Sequence, residues 1–259
     1  MKQLGAILGI AALVVLGGCI KANEEITLNK DGSGSCTLTY GMSEQSIQQL
    51  QAMAKQQEGG EMEMDMDAFE FDENKVKESF EALKDKGVTL KDVKAEVKDG
   101  WKYITVAFDF QSLNGLAESD TPLEGFSLSK DDSGNYVFMT GSGEASEVTP
   151  EQAEEAKMMA GMFAGMRIQI RINVPTKVIE TNAPVKGDSY AEWVWDIDKD
   201  PVALVKMENE GMKLVFDGTG VDIPAFQEVE EEDAGMVAVG SSDNGDEMEE
   251  EGIEVEVEE

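Results

Sequence analysis

The chain has 259 residues, with 54 Asp and Glu against 21 Lys and Arg, a formal charge of −33 and no histidine. Nucleic acid and anionic membrane surfaces would repel it, and it cannot build a Ser-His-Asp or Cys-His catalytic set or a His-ligated zinc or haem site. Its two cysteines are too few for Cys-rich zinc or iron–sulfur centres, while the 41% hydrophobic content suits a folded domain.

The chain starts Met1-Lys2, followed by a mostly apolar run over residues 4–16 and then Gly17-Gly18-Cys19. A short basic start, an apolar stretch too short to span a bilayer comfortably and small residues before a cleavage point describe a secretory signal. The ending L-G-G-C resembles the lipobox of bacterial lipoproteins. That resemblance implies a signal peptide over residues 1–18, cleavage before Cys19, lipidation of that cysteine and a tether over residues 19–25. The membrane partner is then met through an N-terminal acyl anchor such as palmitate supplies. With Cys19 used by lipid, Cys36 is left as a small buried hydrophobe without a disulfide partner in its own chain.

Residues 26–40 alternate on either side of Lys-Asp-Gly-Ser-Gly, which is a hairpin pattern. Residues 43–57 carry Ile47, Leu50, Met53 and Ala54 at helical spacing, and residues 74–86 repeat the period through Val76, Phe80 and Leu83 until Gly87 stops it. Between them, residues 58–73 hold eight acidic residues and no base, with Met62, Met64 and Met66 two apart. Thioethers suit copper(I), but interleaved carboxylates and the absence of histidine favour an acidic loop.

Residues 88–110 form a second hairpin pattern around Asp99-Gly100. A third begins at Phe126, where Leu128-Ser-Lys-Asp-Asp-Ser-Gly134 echoes Leu28-Asn-Lys-Asp-Gly-Ser-Gly34 and suggests a duplicated hairpin–helix–strand unit with halves at 26–118 and 119–226. Thr149 caps a helix with Pro150 at its first position, predicted to run to about Met166. On it, Met158, Met162 and Met166 make one stripe, and Gly161 and Gly165 allow close packing. Core filling explains such a stripe; an adaptable apolar groove is the functional reading.

Residues 167–174 alternate without fault, and residues 190–197 and 212–216 are further strands. Trp193 and Trp195 on the former join the methionines as candidate contacts for an apolar or lipid ligand. Asp196, Asp198 and Asp200 have the D-x-D-x-D spacing that can aim carboxylates at one hard cation, although Pro201 and Met207 stand where an EF-type loop needs Gly and Glu. Residues 227–259 carry fifteen acidic residues and no base, a composition too polar to offset its ordering entropy and so predicted to be a disordered acidic tail.

Between the ends, residues 26–226 read as an α+β domain of antiparallel sheets built from hairpins, with two or three packed helices. Within it, Val174-Pro-Thr-Lys-Val-Ile-Glu-Thr-Asn-Ala183 followed by Trp193, together with the early Leu28 to Gly34 turn, resembles the LppM-type bacterial lipoprotein domain. The resemblance implies a surface or periplasmic α+β domain, with glycolipid or envelope contacts proposed for the mycobacterial members. It brings no catalytic residues. Thr176 replaces the usual glycine, and the acidic tail stands where some relatives carry a C-terminal transmembrane helix.

Taken together, the sequence predicts a lipid-anchored envelope protein that binds a lipid or an envelope protein without catalysing a reaction and without a cofactor. Outer-membrane sorting is expected where the cell has one. Two other readings stand beside it: a calcium-dependent structural protein using the acidic loops, and a carboxylate-based hydrolase of envelope glycans for which no acidic pair stands out.

Overall fold

A computed structural model describes residues 20–48, 71–117, 126–140, 148–161, 163–224 and 226–227. The signal segment, Cys19, Met162, the methionine-rich loop at 61–67 and the acidic tail beyond residue 227 lie outside the described residues.

The alternating runs become strands where the pattern is strongest. β1 (Ile20–Leu28) and β2 (Gly34–Ser43) form the first hairpin, and β3 (Val88–Lys98) and β4 (Trp101–Phe110) the second. The β3–β4 turn has Asp99 and Gly100 at φ 53° and 76°, the left-handed pair that an Asp-Gly hairpin turn uses. β5 (Phe126–Lys130) and β6 (Tyr136–Thr140) make the third. They are followed by β7 (Arg167–Asn173), β8 (Val178–Thr181), β9 (Val185–Lys186), β10 (Tyr190–Asp196), β11 (Lys213–Phe216) and β12 (Phe226–Gln227).

A seven-stranded sheet runs β3-β4-β2-β1-β7-β10-β9, and a five-stranded sheet runs β12-β5-β6-β11-β8. Among the described residues every pairing is antiparallel except β1 with β7, which run parallel from Lys21 beside Arg167 to Thr27 beside Asn173.

Helices are short. A helical turn opens at residues 44–48, where Ser46 N–H donates to Ser43 Oγ at 3.1 Å. α1 (Glu73–Glu81) is capped by Asp72, buries Val76 and Phe80, and leads through a 3-10 turn at Lys84–Lys86 to Gly87 at φ 79°. α2 (Leu113–Ala117) is a single turn, while α3 (Pro150–Met159) and α4 (Ala203–Glu210) complete the set among the described residues.

The α+β expectation is therefore corrected. The body is mostly β, two sheets rather than a sheet dressed with two or three helices, and its centre holds a parallel pair. Nor do the hairpins assemble as a repeated unit. β7, β10 and β9 join the sheet begun by β1–β4, while β5 and β6 go to the other. The reason is length of alternation: β1, β2, β3 and β4 are 9 to 11 residues long and β7 and β10 are 7 each. Paired side by side, these runs merge their apolar faces into one wide surface that is buried in the shared core.

Both sheets contribute to one apolar core, from Ile26, Phe108 and Trp193 of the first to Phe126, Tyr136 and Phe216 of the second. Buried Tyr136 fixes the segment before β12, its hydroxyl accepting from Ile223 N–H at 2.7 Å and lying 2.9 Å from Ile223 O. The free edge of β3 is protected in part by α1, where Glu73 accepts the Ala95 N–H at 2.9 Å.

Candidate functional site

α3 owes its start to local chemistry. Thr149 Oγ1 accepts the Gln152 N–H at 3.2 Å and Gln152 Oε1 accepts the Thr149 N–H at 3.0 Å, a complete capping box with Pro150 at the first turn. None of its ten residues is buried. It stops at Met159, short of the expected end, because the chain turns: Phe163 N–H bonds to Ala160 O, Met166 N–H to Phe163 O, and Gly165 sits at φ 83°.

This turn separates the methionines. Met158 is 79% exposed on α3, Met166 lies beyond the helix at 4% exposure, and Met162 is outside the described residues. Met159, which the spacing did not single out, is 38% exposed and lines a groove of about 260 Å³ between α3 and α4. Ala160 and Phe163 continue one wall, Ile197, Pro201 and Leu204 form the other, and Gln152 and Glu155 stand at the rim. The sequence reading had offered an apolar groove on this helix, but not its second wall, because α4 was missed. Its Ala-Leu-Val-Lys-Met-Glu-Asn-Glu run has no side-chain cap at Val202.

Trp193 and Trp195 are 3% and 8% exposed and belong to the core. Trp193 Nε1 donates to Asn182 Oδ1 at 3.0 Å; that oxygen also accepts the Lys213 N–H at 2.9 Å, and Asn182 Nδ2 donates to Gly211 O at 3.1 Å. Both the oxygen and the nitrogen of Asn182's amide are thus engaged in holding β10 beside the start of β11. Thr176, at the departure from the family pattern, donates its hydroxyl to Asp217 O.

The three aspartates of the D-x-D-x-D run point to separate partners. Asp196 pairs with Lys199 at 2.9 Å and lies 3.7 Å from Arg167, and the Lys199 ammonium holds its carboxyl below the usual range. Asp198 accepts the Gly165 N–H at 2.9 Å. Asp200 accepts the Val202 N–H at 3.2 Å and binds Lys206 at 2.6 Å; burial pushes its carboxyl up, but the hydrogen bonds outweigh it and the net direction is down. Among the described residues, no three carboxylate or thiol side chains come together as a metal site.

Glu24 was not singled out from the sequence. It is 4% exposed on the core side of β1, held among Ala22, Ile26, Leu38 and Ile170 by the strand registers. Its described hydrogen bond comes from Cys36 Sγ at 3.8 Å. Burial raises its pKa to about 7, against a smaller opposing effect of that bond. The Cys36 thiol is itself pushed well up, first by burial and then by the neighbouring carboxylate, which makes it a poor nucleophile. The sequence reading had placed it in the tether at residues 19–25; the signal that could have found it is its register with Ile26 and Leu28 on the alternating face of what is β1.

Comparison with known proteins gives one family. A family model described as the LppM domain matches residues 21–206. Among solved structures, the folded domain of LppM from Mycobacterium tuberculosis, determined by NMR, is similar over 80% of this chain and 95% of that one, at 11% identity and a TM-score of 0.39. No curated protein matches the chain.

Proposed function

Since the chain belongs to the LppM domain family, which makes it a lipoprotein-type envelope protein, we propose that it is a non-catalytic binding protein, anchored by lipid at Cys19, whose α3–α4 groove takes up the acyl chain of a neutral lipid. The groove carries the reading. It is a concave strip of about 260 Å³ walled by thioether, aromatic and aliphatic groups, with half-buried Leu204 at its side and exposed Met158 next to Met159. Methionines adapt to the outline of a flexible chain.

Charge selects the head group. The rim residue Glu155 and the net charge of −33 disfavour anionic lipids, and no lining residue supplies a cation to pair with one. The anchor would hold the groove near a bilayer, so that uptake is a short-range transfer.

Titration with a spin-labelled neutral monoacylglycerol tests this. Broadening of backbone signals should centre on residues 156–160 and 197–205, and Leu204→Glu should abolish it while leaving the fold intact. Broadening scattered over the whole surface, or unchanged in Leu204→Glu, would sink the reading.

A further inference from the structure

The outer face of the seven-stranded sheet, opposite the core, holds an aromatic shelf at one end. Trp101 and Tyr103 stand two apart on β4 and so share the side away from buried Ile104 and Val106. Their rings stack at 6.1 Å with 20° between the planes, and Lys21 of β1 sets its ammonium 3.9 Å from the centre of the Trp101 ring. Gly41 of β2 makes room between them: a Cβ there would lie 2.4 Å from the Tyr103 ring, so the phenol lies flush on the sheet. Trp101 is half-buried, whereas the other two tryptophans of the chain, Trp193 and Trp195, belong to the core. An indole and a phenol kept outside the core, each with an apolar body and a polar tip, suit a boundary between water and hydrocarbon.

The shelf lies at the anchored end of the body. Residues 20–25, expected as a tether, belong to β1, which from Lys21 to Thr27 is paired on both sides. Cys19 precedes Ile20 directly, so its Cα is about 3.8 Å from that of the first strand residue. Lys21, Gly41 and Tyr103 form one row across β1, β2 and β4, which sets the Tyr103 backbone about 10 Å from that of Lys21. On the other side of β1 the row continues through Arg167 and Asp196, 3.7 Å apart, and next comes Ile197 of the groove wall. Exposed Val97 and the Asp99-Gly100 turn close the same end. Its remaining charges balance: Lys21, Lys98 and Lys102 stand with Glu44, Glu96 and Asp99, in a chain whose net charge is −33.

We propose that this end is a membrane-contact surface, with Trp101 and Tyr103 resting at the head-group level of a zwitterionic phospholipid bilayer. The proposal rests on the acylation of Cys19 in the reading above and deepens it, because it fixes how the body stands and turns the Ile197 side of the groove toward the lipid. The anchor makes the bilayer the partner at highest local concentration, and paired β1 leaves no slack in the chain between them. Lys21 lays its stem over the indole and can pass its ammonium to a phosphate oxygen, as Lys98 and Lys102 can beside it. The balanced charge of this end meets a zwitterionic surface without the repulsion that an anionic one would add.

The test is tryptophan fluorescence of the mature chain, acylated at Cys19, in phosphatidylcholine vesicles with and without a nitroxide-labelled head-group lipid. Nitroxide quenches on contact, so Trp101 should lose emission while core Trp193 and Trp195 keep theirs. Trp101→Phe should remove the quenching. Trp101→Phe combined with Tyr190→Trp moves the reporter about 20 Å along β10 to the far end of the same face, and should show none. Leu204→Glu, which blocks the groove, should leave the quenching of Trp101 unchanged, so failure of the groove reading is separable from failure of this one. A chain that does not float with the vesicles would overturn the anchor and this proposal with it. A chain that floats with Trp101 unquenched, or quenched equally at positions 101 and 190, would overturn this proposal alone, and the first of these outcomes would assign the shelf to a protein partner.

Discussion

The indole N–H of Trp193 meets the side-chain oxygen of Asn182 at 3.0 Å, and through it the seven-stranded sheet is tied to the five-stranded one. Trp193 belongs to β10, Asn182 follows β8, and the same oxygen takes the backbone N–H of Lys213 at the start of β11. Asn182→Ala leaves two donors without their acceptor, and since Asn182 is itself exposed, water compensates in part. The expected loss is about 1–2 kcal/mol. Asn182→Asp keeps the acceptor and loses the bond to Gly211 O, so it should cost less. Denaturant unfolding of both variants with Trp193→Phe, combined as a double-mutant cycle, should give a coupling above about 0.5 kcal/mol between Asn182 and Trp193.

Glu24 makes stability depend on pH in an unusual direction. Burial lifts its pKa from 4.5 to about 7. Below pH 4.5 the group is protonated both folded and unfolded and adds no pH dependence. Between 4.5 and 7 the unfolded chain ionises it while the fold keeps it neutral, so stability falls as pH rises. Above 7 the cost levels off at about 3 kcal/mol. Glu24→Gln should therefore match the natural chain near pH 4 and be the more stable of the two above neutrality. Melting curves across this range check it; parallel curves at every pH would mean that Glu24 does not titrate within the fold.

Much of this architecture was legible wherever one physical signal dominated. Strict alternation gave β7, Asp99-Gly100 gave the second hairpin, and Thr149 with Pro150 gave the start of α3. What was hidden depended on partners distant in sequence. The parallel union of β1 and β7 joins residues about 146 apart, and nothing in either strand names the other. β8 follows Pro175 in a stretch rich in turn residues, and its edge position tolerates exposed Ile179. α4 lacks a cap, so the wall it gives to the groove was out of view. The methionine stripe pointed to the right neighbourhood, but the turn at residues 160–165 placed Met159 and Phe163 in the groove wall instead of Met166.

α3 buries none of its residues, which leaves its stability resting on its ends. Thr149→Ala removes the Oγ1 that accepts the Gln152 N–H and should cost about 1 kcal/mol, felt locally. Hydrogen exchange at residues 153–160 should speed up about fivefold while the core strands keep their protection. Acyl-chain binding in the groove should weaken by a similar factor, because Met159 and Ala160 then spend more time out of place. Restoring the cap with Thr149→Ser should recover both.

Close approach at Gly34 makes a sharper prediction. A Cβ there would lie 2.2 Å from the Thr27 carbonyl oxygen and 2.4 Å from the Phe110 ring, and the ring is itself buried at 2% exposure. Neither the β1 backbone nor a packed phenyl can yield by that much cheaply. Gly34→Ala should lose about 2–4 kcal/mol, against less than 0.5 for Gly161→Ala, whose Cβ would meet nothing within 4 Å. Equal stability of the two variants would show that the β1–β2 hairpin can shift.

The D-x-D-x-D run provides a test of the calcium reading. For one ion to be shared, Asp196 would have to leave Lys199, Asp198 the Gly165 N–H, and Asp200 both Lys206 and the Val202 N–H. Four favourable contacts would be exchanged for a site lacking the glycine and the distal glutamate of a calcium loop. The melting midpoint should therefore coincide in millimolar calcium and in chelator, and Asp198→Asn, which keeps an acceptor for Gly165, should melt within a degree or two of the natural chain. A midpoint raised by calcium and returned by Asp198→Asn would show instead that the loop rearranges around the ion.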